Sequence, residues 1–145
     1  MFGIFPLLIL VVIAFNVVVF TGGVAFGLED PQNAFDLTVA NLSMMSGDIW
    51  RLTLGNVFVI ASLVLLFIEI AKATRTDSSS IINHSLSLVV FIVCLLEFIM
   101  FGGFGNSTFF FITCMSLLDV IAGFTVTIST ARRDLGVGEG IFGGS

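Results

Sequence analysis

Four long apolar runs dominate this sequence and constrain what the chain can fold into. They cover about residues 4–28, 50–71, 81–101 and 108–130. About 20 helical residues cross a hydrocarbon core of about 30 Å at 1.5 Å per residue, so each run is long enough to span a bilayer. Because lipid offers the backbone no hydrogen-bond partner, each run is predicted to be helical. The expected fold is an all-α membrane protein, a four-transmembrane-helix bundle forming a single domain over residues 1–145.

The scarcity of charged residues supports the same interpretation. Of the 145 residues, 57% are hydrophobic and 10% are charged, whereas an average soluble domain is about 25% charged. A small soluble domain is mostly surface and needs polar side chains to cover it, so lipid is expected to cover this chain. The 5 basic residues are scattered and the net charge is −5, which argues against a nucleic-acid-binding surface.

The first run also has some features of a cleaved signal peptide. Ala25-Phe26-Gly27 resembles a small-x-small cleavage site. However, the start of the chain carries no basic residue, and the apolar stretch is longer than the usual h-region of about 7–15 residues. We therefore favour a permanent membrane span.

The longest connection lies between the first and second runs. It contains Asp30-Pro31, a pair typical of a helix start with aspartate as N-cap and proline at the first helical position. Phe35, Val39 and Leu42 follow at helical spacing, and Gly47 is suited to end the segment. These features predict a short interfacial helix in the first outer loop.

The basic residues predict the orientation of the four spans. They flank the second connection and follow the fourth run, and with four spans both regions lie on one side, which the positive-inside rule makes cytoplasmic. The first connection is acidic and therefore faces outward. We expect an N-in/C-in protein of a bacterial inner membrane. The residues that carry this argument are Lys72, Arg75, Arg132 and Arg133 on the inner side and Glu29, Asp30, Asp36 and Asp48 on the outer side.

Each run places its small and polar residues along one stripe of a helix drawn at 100° per residue. This pattern predicts a bundle whose stripes face inward and whose apolar faces meet lipid. The stripes comprise Asn16, Gly23 and Gly27; Gly55, Ser62 and Glu69; Asn83, His84, Ser87, Cys94 and Glu97; and Thr113, Ser116, Asp119, Gly123, Thr127 and Thr130. Small residues allow helices to approach closely, so close packing is predicted at Gly23, Gly27, Gly55 and Gly123.

Three carboxylates within the runs are the main functional candidates, because ionisable residues inside a membrane usually mark functional sites. Asp119 lies near the middle of the fourth run. From the rise per residue, Glu97 lies roughly 9 Å outward from the centre of the third run, and Glu69 roughly 12 Å inward from the centre of the second. With no basic residue at its depth, Asp119 is expected to be neutral and to donate a hydrogen bond.

These residues also have structural interpretations. Asp119 and Glu97 can form structural hydrogen bonds to neighbouring helices. Glu69 precedes Lys72 by three residues, which favours a local ion pair or a side chain that reaches the interface. His84, the only histidine, is near the inner end of its run, where a capping or interfacial role is expected.

Two classes of function are compatible with these features. The first is a non-catalytic accessory or structural subunit of a larger membrane complex, whose partners are the lipid bilayer and other membrane subunits or a second copy. The second is a small proton-coupled transporter or channel that uses the intramembrane carboxylates. Enzyme activity is disfavoured because His84 and Asp119 are expected to differ by about 10 Å in depth. No motif indicates a cofactor or a metal site.

Overall fold

A computed structural model of the protein describes residues 5–73 and 79–142. Within those ranges, the surroundings of residues 23, 31, 73, 79–81 and 130–142 are outside the description. The described chain is mainly helical, as the sequence predicted. It contains three helices that are long and apolar enough to cross a membrane, and a shorter apolar helix precedes them.

The three long helices lie in the chain from residue 54 onward. They are α2 (Leu54–Ala73), α3 (Ser79–Met100) and α4 (Ser107–Phe142). The apolar part of α4 ends at Ser129, so this helix continues well beyond the predicted fourth span.

The first helix is shorter than the predicted run. α1 (Leu8–Phe26) has 19 residues, and its apolar segment ends at Gly22. The C-terminal end of α1 has few neighbours, since Val24 is 93% exposed and Phe20 is 71% exposed. Gly27 ends α1 in the left-handed conformation with φ of 64°, which glycine adopts without steric cost.

The all-α prediction is wrong in the first connection. A 3₁₀ helix (Pro31–Asp36) begins where the Asp-Pro pair predicted a helix, and Asp30 Oδ1 accepts a hydrogen bond from the Gln32 N–H at 2.9 Å. The predicted interfacial helix does not continue from there. Instead, β1 (Thr38–Ser43) and β2 (Ile49–Thr53) form an antiparallel hairpin.

The local sequence explains why this segment is extended. Val39 and Leu42, whose spacing suggested a helix, lie in β1, and Trp50, the predicted start of the second span, lies in β2. Ser46-Gly47 is a typical turn pair, and Gly47 has φ of 91° in the connection between the strands. Three apolar residues at helical spacing are a weak signal, and the pairing with β2 satisfies the backbone of β1 instead.

A cluster of phenylalanines ties the 3₁₀ helix to the bundle. Phe35 inserts beside α1, where its ring stacks on Phe15 with centroids 4.1 Å apart and planes 7° apart. Phe58 of α2 meets both rings edge-on, at 5.5 Å from Phe15 and 5.7 Å from Phe35. Phe104 and Phe109, at the turn into α4, complete the cluster around Phe15. Such pairs contribute about 0.5–1.5 kcal/mol each beyond their burial, so the cluster fixes the first connection against the helices.

Candidate functional site

The predicted polar stripes of α2, α3 and α4 face one another inside the bundle. Several of their hydroxyls donate to carbonyls of their own helices, for example Ser62 to Phe58 O at 2.7 Å and Thr113 to Phe109 O at 2.9 Å. Those hydroxyls are satisfied locally and need no ligand. The buried residues of the stripes, apart from the glycines, are Ser62, Glu69, Asn83, His84, Ser87, Cys94, Thr113, Ser116 and Asp119.

Glu69 accepts hydrogen bonds from several groups of the described chain. Its side chain is 0% exposed. Glu69 Oε2 accepts from the Leu7 N–H at 3.0 Å, and both carboxylate oxygens accept from Lys72 Nζ at 3.2 and 3.3 Å. Oε1 also accepts from Asn83 Nδ2. One carboxylate therefore joins the start of α1, the last turns of α2 and the first turns of α3.

The contact with Leu7 acts as a helix cap supplied by another helix. Leu7 precedes α1 and makes no side-chain cap of its own. The first N–H groups of a helix have no partner within the helix, and they favour a negative charge. Glu69 supplies both an acceptor and a negative charge at the start of α1. Its role therefore goes beyond the local pair with Lys72 that the sequence suggested.

Asp119 lies beside the same carboxylate. It is buried, and Ser87 Oγ approaches its carboxyl without meeting strict hydrogen-bond geometry. Its other electrostatic neighbours are Glu69, His84 and Lys72. The structure therefore brings three of the four predicted polar candidates together in one interior group, which we call the polar cluster: Glu69, Lys72, Asn83, His84, Ser87 and Asp119.

The polar cluster lies toward one end of the bundle rather than at its centre. Leu66 of α2 packs with Met115 of α4, and Asp119 follows Met115 by one turn. Asp119 is therefore level with Glu69 in the last turns of α2. Asp119 is one residue from the middle of the apolar part of α4, Ser107–Ser129, as the sequence predicted. The expectation of no nearby cation was wrong, since Lys72 is an electrostatic neighbour.

His84 lies between α3 and α4 rather than at an interface. A Cβ atom added to Gly123 would lie 2.1 Å from His84 Nδ1, so glycine is required for the imidazole to occupy this position. Gly123 is four residues after Asp119, or about 6 Å along α4, so His84 lies about one helical turn from Asp119 in that direction.

The other three glycines predicted to pack closely have different surroundings. A Cβ atom on Gly55 would lie 2.5 Å from Thr108 Oγ1 and 3.1 Å from the Phe35 carbonyl oxygen, so α2 and α4 meet closely there. Gly27 ends α1, and a Cβ atom there would meet nothing within 4 Å. The surroundings of Gly23 lie outside the described part of the chain.

Glu97 is separate from the polar cluster. It is half-buried, and its Oε2 accepts a hydrogen bond from Asn16 Nδ2 at 3.2 Å. The same amide nitrogen donates to the Val12 carbonyl at 3.0 Å. The Asn16–Glu97 pair lines a groove of about 510 Å³ between α1 and α3.

Sequence reasoning grouped Asn16, Asn83 and Ser87 into stripes but did not identify their partners. Helical periodicity gives the face of one helix, and it does not give the register between two helices. The hairpin was missed as well. Its signal was the Ser46-Gly47 pair between segments that contain Val39, Leu42 and Trp50, which is a recognised hairpin pattern.

The chemistry open to the polar cluster is limited to hydrogen bonding and proton exchange. Two carboxylates, an ammonium and an imidazole can share protons. Among the described residues, no group of three or more His, Cys, Asp or Glu side chains is placed to hold a metal ion. No family model, curated protein or solved structure matches the chain. The functional argument therefore depends on the geometry.

Gly123→Ala is expected to lower the thermal stability of the protein in detergent. The added methyl would collide with the imidazole, and overpacking of this kind typically costs about 1–3 kcal/mol, more than the gain of up to about 1 kcal/mol in helix propensity. Thermal unfolding followed by circular dichroism measures the effect. Gly102→Ala is the control, because its Cβ atom meets nothing within 4 Å. Adding His84→Ala to Gly123→Ala should recover part of the loss. Equal stability of both glycine variants would contradict the close packing described above.

Proposed function

We propose that this chain is a four-span, N-in/C-in protein of a bacterial inner membrane and a non-catalytic subunit of a larger membrane complex. Three spans are α2, α3 and the apolar part of α4, and the fourth is α1. At 1.5 Å per residue, the 19 residues of α1 extend about 28 Å, close to the thickness of a hydrocarbon core. The positive-inside pattern of the sequence supports the orientation.

The observation that carries the subunit proposal is an uncovered apolar face on the hairpin. Side chains alternate between the two faces of a strand, so paired residues two positions apart share a face. Leu42 and Trp50 remain 44% and 42% exposed on the apolar face. The pairs on that face are Ala40–Leu52 and Leu42–Trp50. Asn41–Arg51 and Ser43–Ile49 are on the opposite face, where Ile49 is the apolar residue and is 66% exposed.

A two-stranded hairpin is marginally stable alone and needs a further strand or a packing surface. In the described residues, β1 and β2 pair only with each other, so each strand has a free edge. Exposed apolar surface on a hairpin is typical of a protein interaction site. We infer that a partner subunit packs on the Leu42–Trp50 face.

The polar cluster favours a second candidate, a small proton-coupled transporter or channel. Asp119 and Glu69 are buried beside His84, and buried ionisable groups inside a membrane often belong to proton relays. The polar groups also continue from the cluster toward the other end of the bundle. Cys94 lies beside Ser116 and is an electrostatic neighbour of Glu97.

Two features weigh against the transporter. Transporter sites usually lie at broken helices within internal repeats. In the described residues α2, α3 and α4 are continuous, and no repeat relates the first two apolar runs to the last two. We therefore rank the subunit first.

The four-span orientation is tested by cysteine labelling in a background that lacks Cys94 and Cys114. A cysteine at Asp36 should react with an impermeant thiol reagent added outside intact cells. One at Asp77, which lies outside the described residues, should react only after the cells are opened. The reverse result would overturn the orientation, and labelling of both positions from outside would overturn the number of spans.

Trp50→Ser is expected to release the partner subunit during purification in mild detergent. A buried tryptophan at an interface can contribute about 2 kcal/mol or more, which corresponds to a loss of affinity of roughly 30-fold. Arg51→Ser, on the opposite face, is the matched control and should keep the partner. The measurement is the mass and composition of the purified assembly.

The alternatives give different results in this experiment. If the parent protein purifies only as copies of itself, the proposal of a larger complex fails. If the complex survives in Trp50→Ser as it does in Arg51→Ser, the apolar face of the hairpin lies on lipid and carries no partner.

The two candidate functions are separated by Asp119→Asn and Asp119→Leu. If Asp119 is a structural donor, asparagine keeps a donor and an acceptor at similar volume, and assembly and any growth phenotype should survive. Leucine should then cause a modest defect, since hydrogen bonds between membrane helices contribute about 0.6 kcal/mol on average. We expect this result. If both variants assemble but lose the phenotype equally, Asp119 must titrate and the transporter is favoured.

A further inference from the structure

The groove between α1 and α3 is a second uncovered surface, at a different place from the hairpin. It has a volume of about 510 Å³ and is lined mainly by aliphatic side chains of the two helices. Residues from Ile9 to Thr21 of α1 line it, which corresponds to about 18 Å along the helix. The groove is therefore long enough to follow a neighbouring helix through much of a membrane.

The polar residues of the groove distinguish it from an ordinary lipid-facing surface. Glu97 lines the groove, and Asn16 Nδ2 is its hydrogen-bond donor among the described residues. That nitrogen also donates to the Val12 carbonyl, so both of its protons are used. A carboxylate with one amide donor, half-exposed at a membrane helix surface, has unused acceptor capacity.

Lipid cannot supply the missing donor at this depth. Glu97 is six residues from the middle of the apolar segment Ile82–Met100, or about 9 Å along α3. The half-thickness of a hydrocarbon core is about 15 Å, so lipid presents acyl chains rather than headgroups at this level. A polar group there has to come from another membrane-spanning segment.

A second copy of this chain is also poorly suited to pair with Glu97. In the described part of the chain, Lys72 is engaged by Glu69 in the polar cluster, and Arg51 lies on the hairpin. Lys72 is at the opposite end of α2 from Arg51, and Arg51 precedes the apolar part of α2, Leu54–Lys72. A second copy would bring Asn16, whose amide protons are already used.

We propose that the groove between α1 and α3 receives a transmembrane helix of a different chain, which places a lysine or arginine against Glu97. Charge complementarity selects the partner, because an intramembrane carboxylate is stabilised by a basic side chain at the same depth. The aliphatic walls of the groove pack against the remainder of that helix. This inference rests on the proposed function, since it names a contact within the same larger complex.

Photo-crosslinking in intact membranes tests the position of the partner helix. A photoreactive amino acid replaces Val17 or Val93, which line the groove, or Leu96, which is exposed on α3 but does not line it. We expect a crosslink from Val17 and Val93 to one other polypeptide, and none to that polypeptide from Leu96. The crosslinked segment should be an apolar span that contains a lysine or arginine, identified by mass spectrometry.

Charge reversal tests the pairing with Glu97. Glu97→Gln should weaken retention of the partner at least 10-fold in detergent, and Glu97→Lys should abolish the Val93 crosslink. Replacing the basic residue of the partner by glutamate should restore the crosslink to Glu97→Lys. Leu96→Gln, a polar substitution of similar size at an exposed position, should leave retention unchanged.

Each contrary outcome identifies what fails. If the complex purifies with its partner and Val17 and Val93 crosslink only to lipid or to a second copy, this inference is wrong while the larger complex stands. If Glu97→Gln keeps the partner fully and the crosslinks remain, the proposed charge pairing is wrong. If no other polypeptide purifies with the parent protein, the proposed function itself fails.

Discussion

The carboxylate of Glu69 is the interaction on which the arrangement of the helices depends. A charge inside a membrane bundle is costly unless it is paired, and removal of one partner of a buried pair is strongly destabilising. Glu69 accepts hydrogen bonds from Lys72, Asn83 and the Leu7 N–H, which belong to three separate segments of the chain. These contacts can be made only when the start of α1, the last turns of α2 and the first turns of α3 lie at one level. The carboxylate therefore specifies the register of the helices as well as stabilising them.

The phenylalanine cluster holds α1 at a second level. Phe15 is eight residues beyond Leu7, about 12 Å along the helix, and it meets Phe35 and Phe104 there. Both attachments lie on the side of α1 that faces α2 and α4. Its opposite side is left open along α3, and Asn16 reaches Glu97 across that opening. The groove is therefore a consequence of the way in which α1 is anchored.

Helix existence and helix faces could be predicted from the sequence, and helix register could not. The length and apolarity of the runs determine where helices form, and the stripes identified Glu69, His84 and Asp119 as inward-facing before any contact was known. The sequence placed Asp119 at the middle of its run and Glu69 near the end of its own, so it did not show that the two carboxyl groups are neighbours. The hairpin was missed because three apolar residues at helical spacing were given more weight than the turn pair at Ser46-Gly47.

The two polar sites differ in how far the chain itself satisfies them, and this difference bears on function. Glu69 is fully buried and receives donors from a backbone amide, an ammonium and a side-chain amide, so its contacts are complete within one molecule. Glu97 is half-buried and receives one donor, from Asn16, at the wall of an open groove. Stability of the single chain explains the first carboxylate, because that carboxylate holds the helices together. It does not explain the second, because an aliphatic residue at the same position would suit lipid better at lower cost. The donor that we propose on another chain would account for a carboxylate at such a place, so Glu97 supports the proposed partner while Glu69 bears only on the fold.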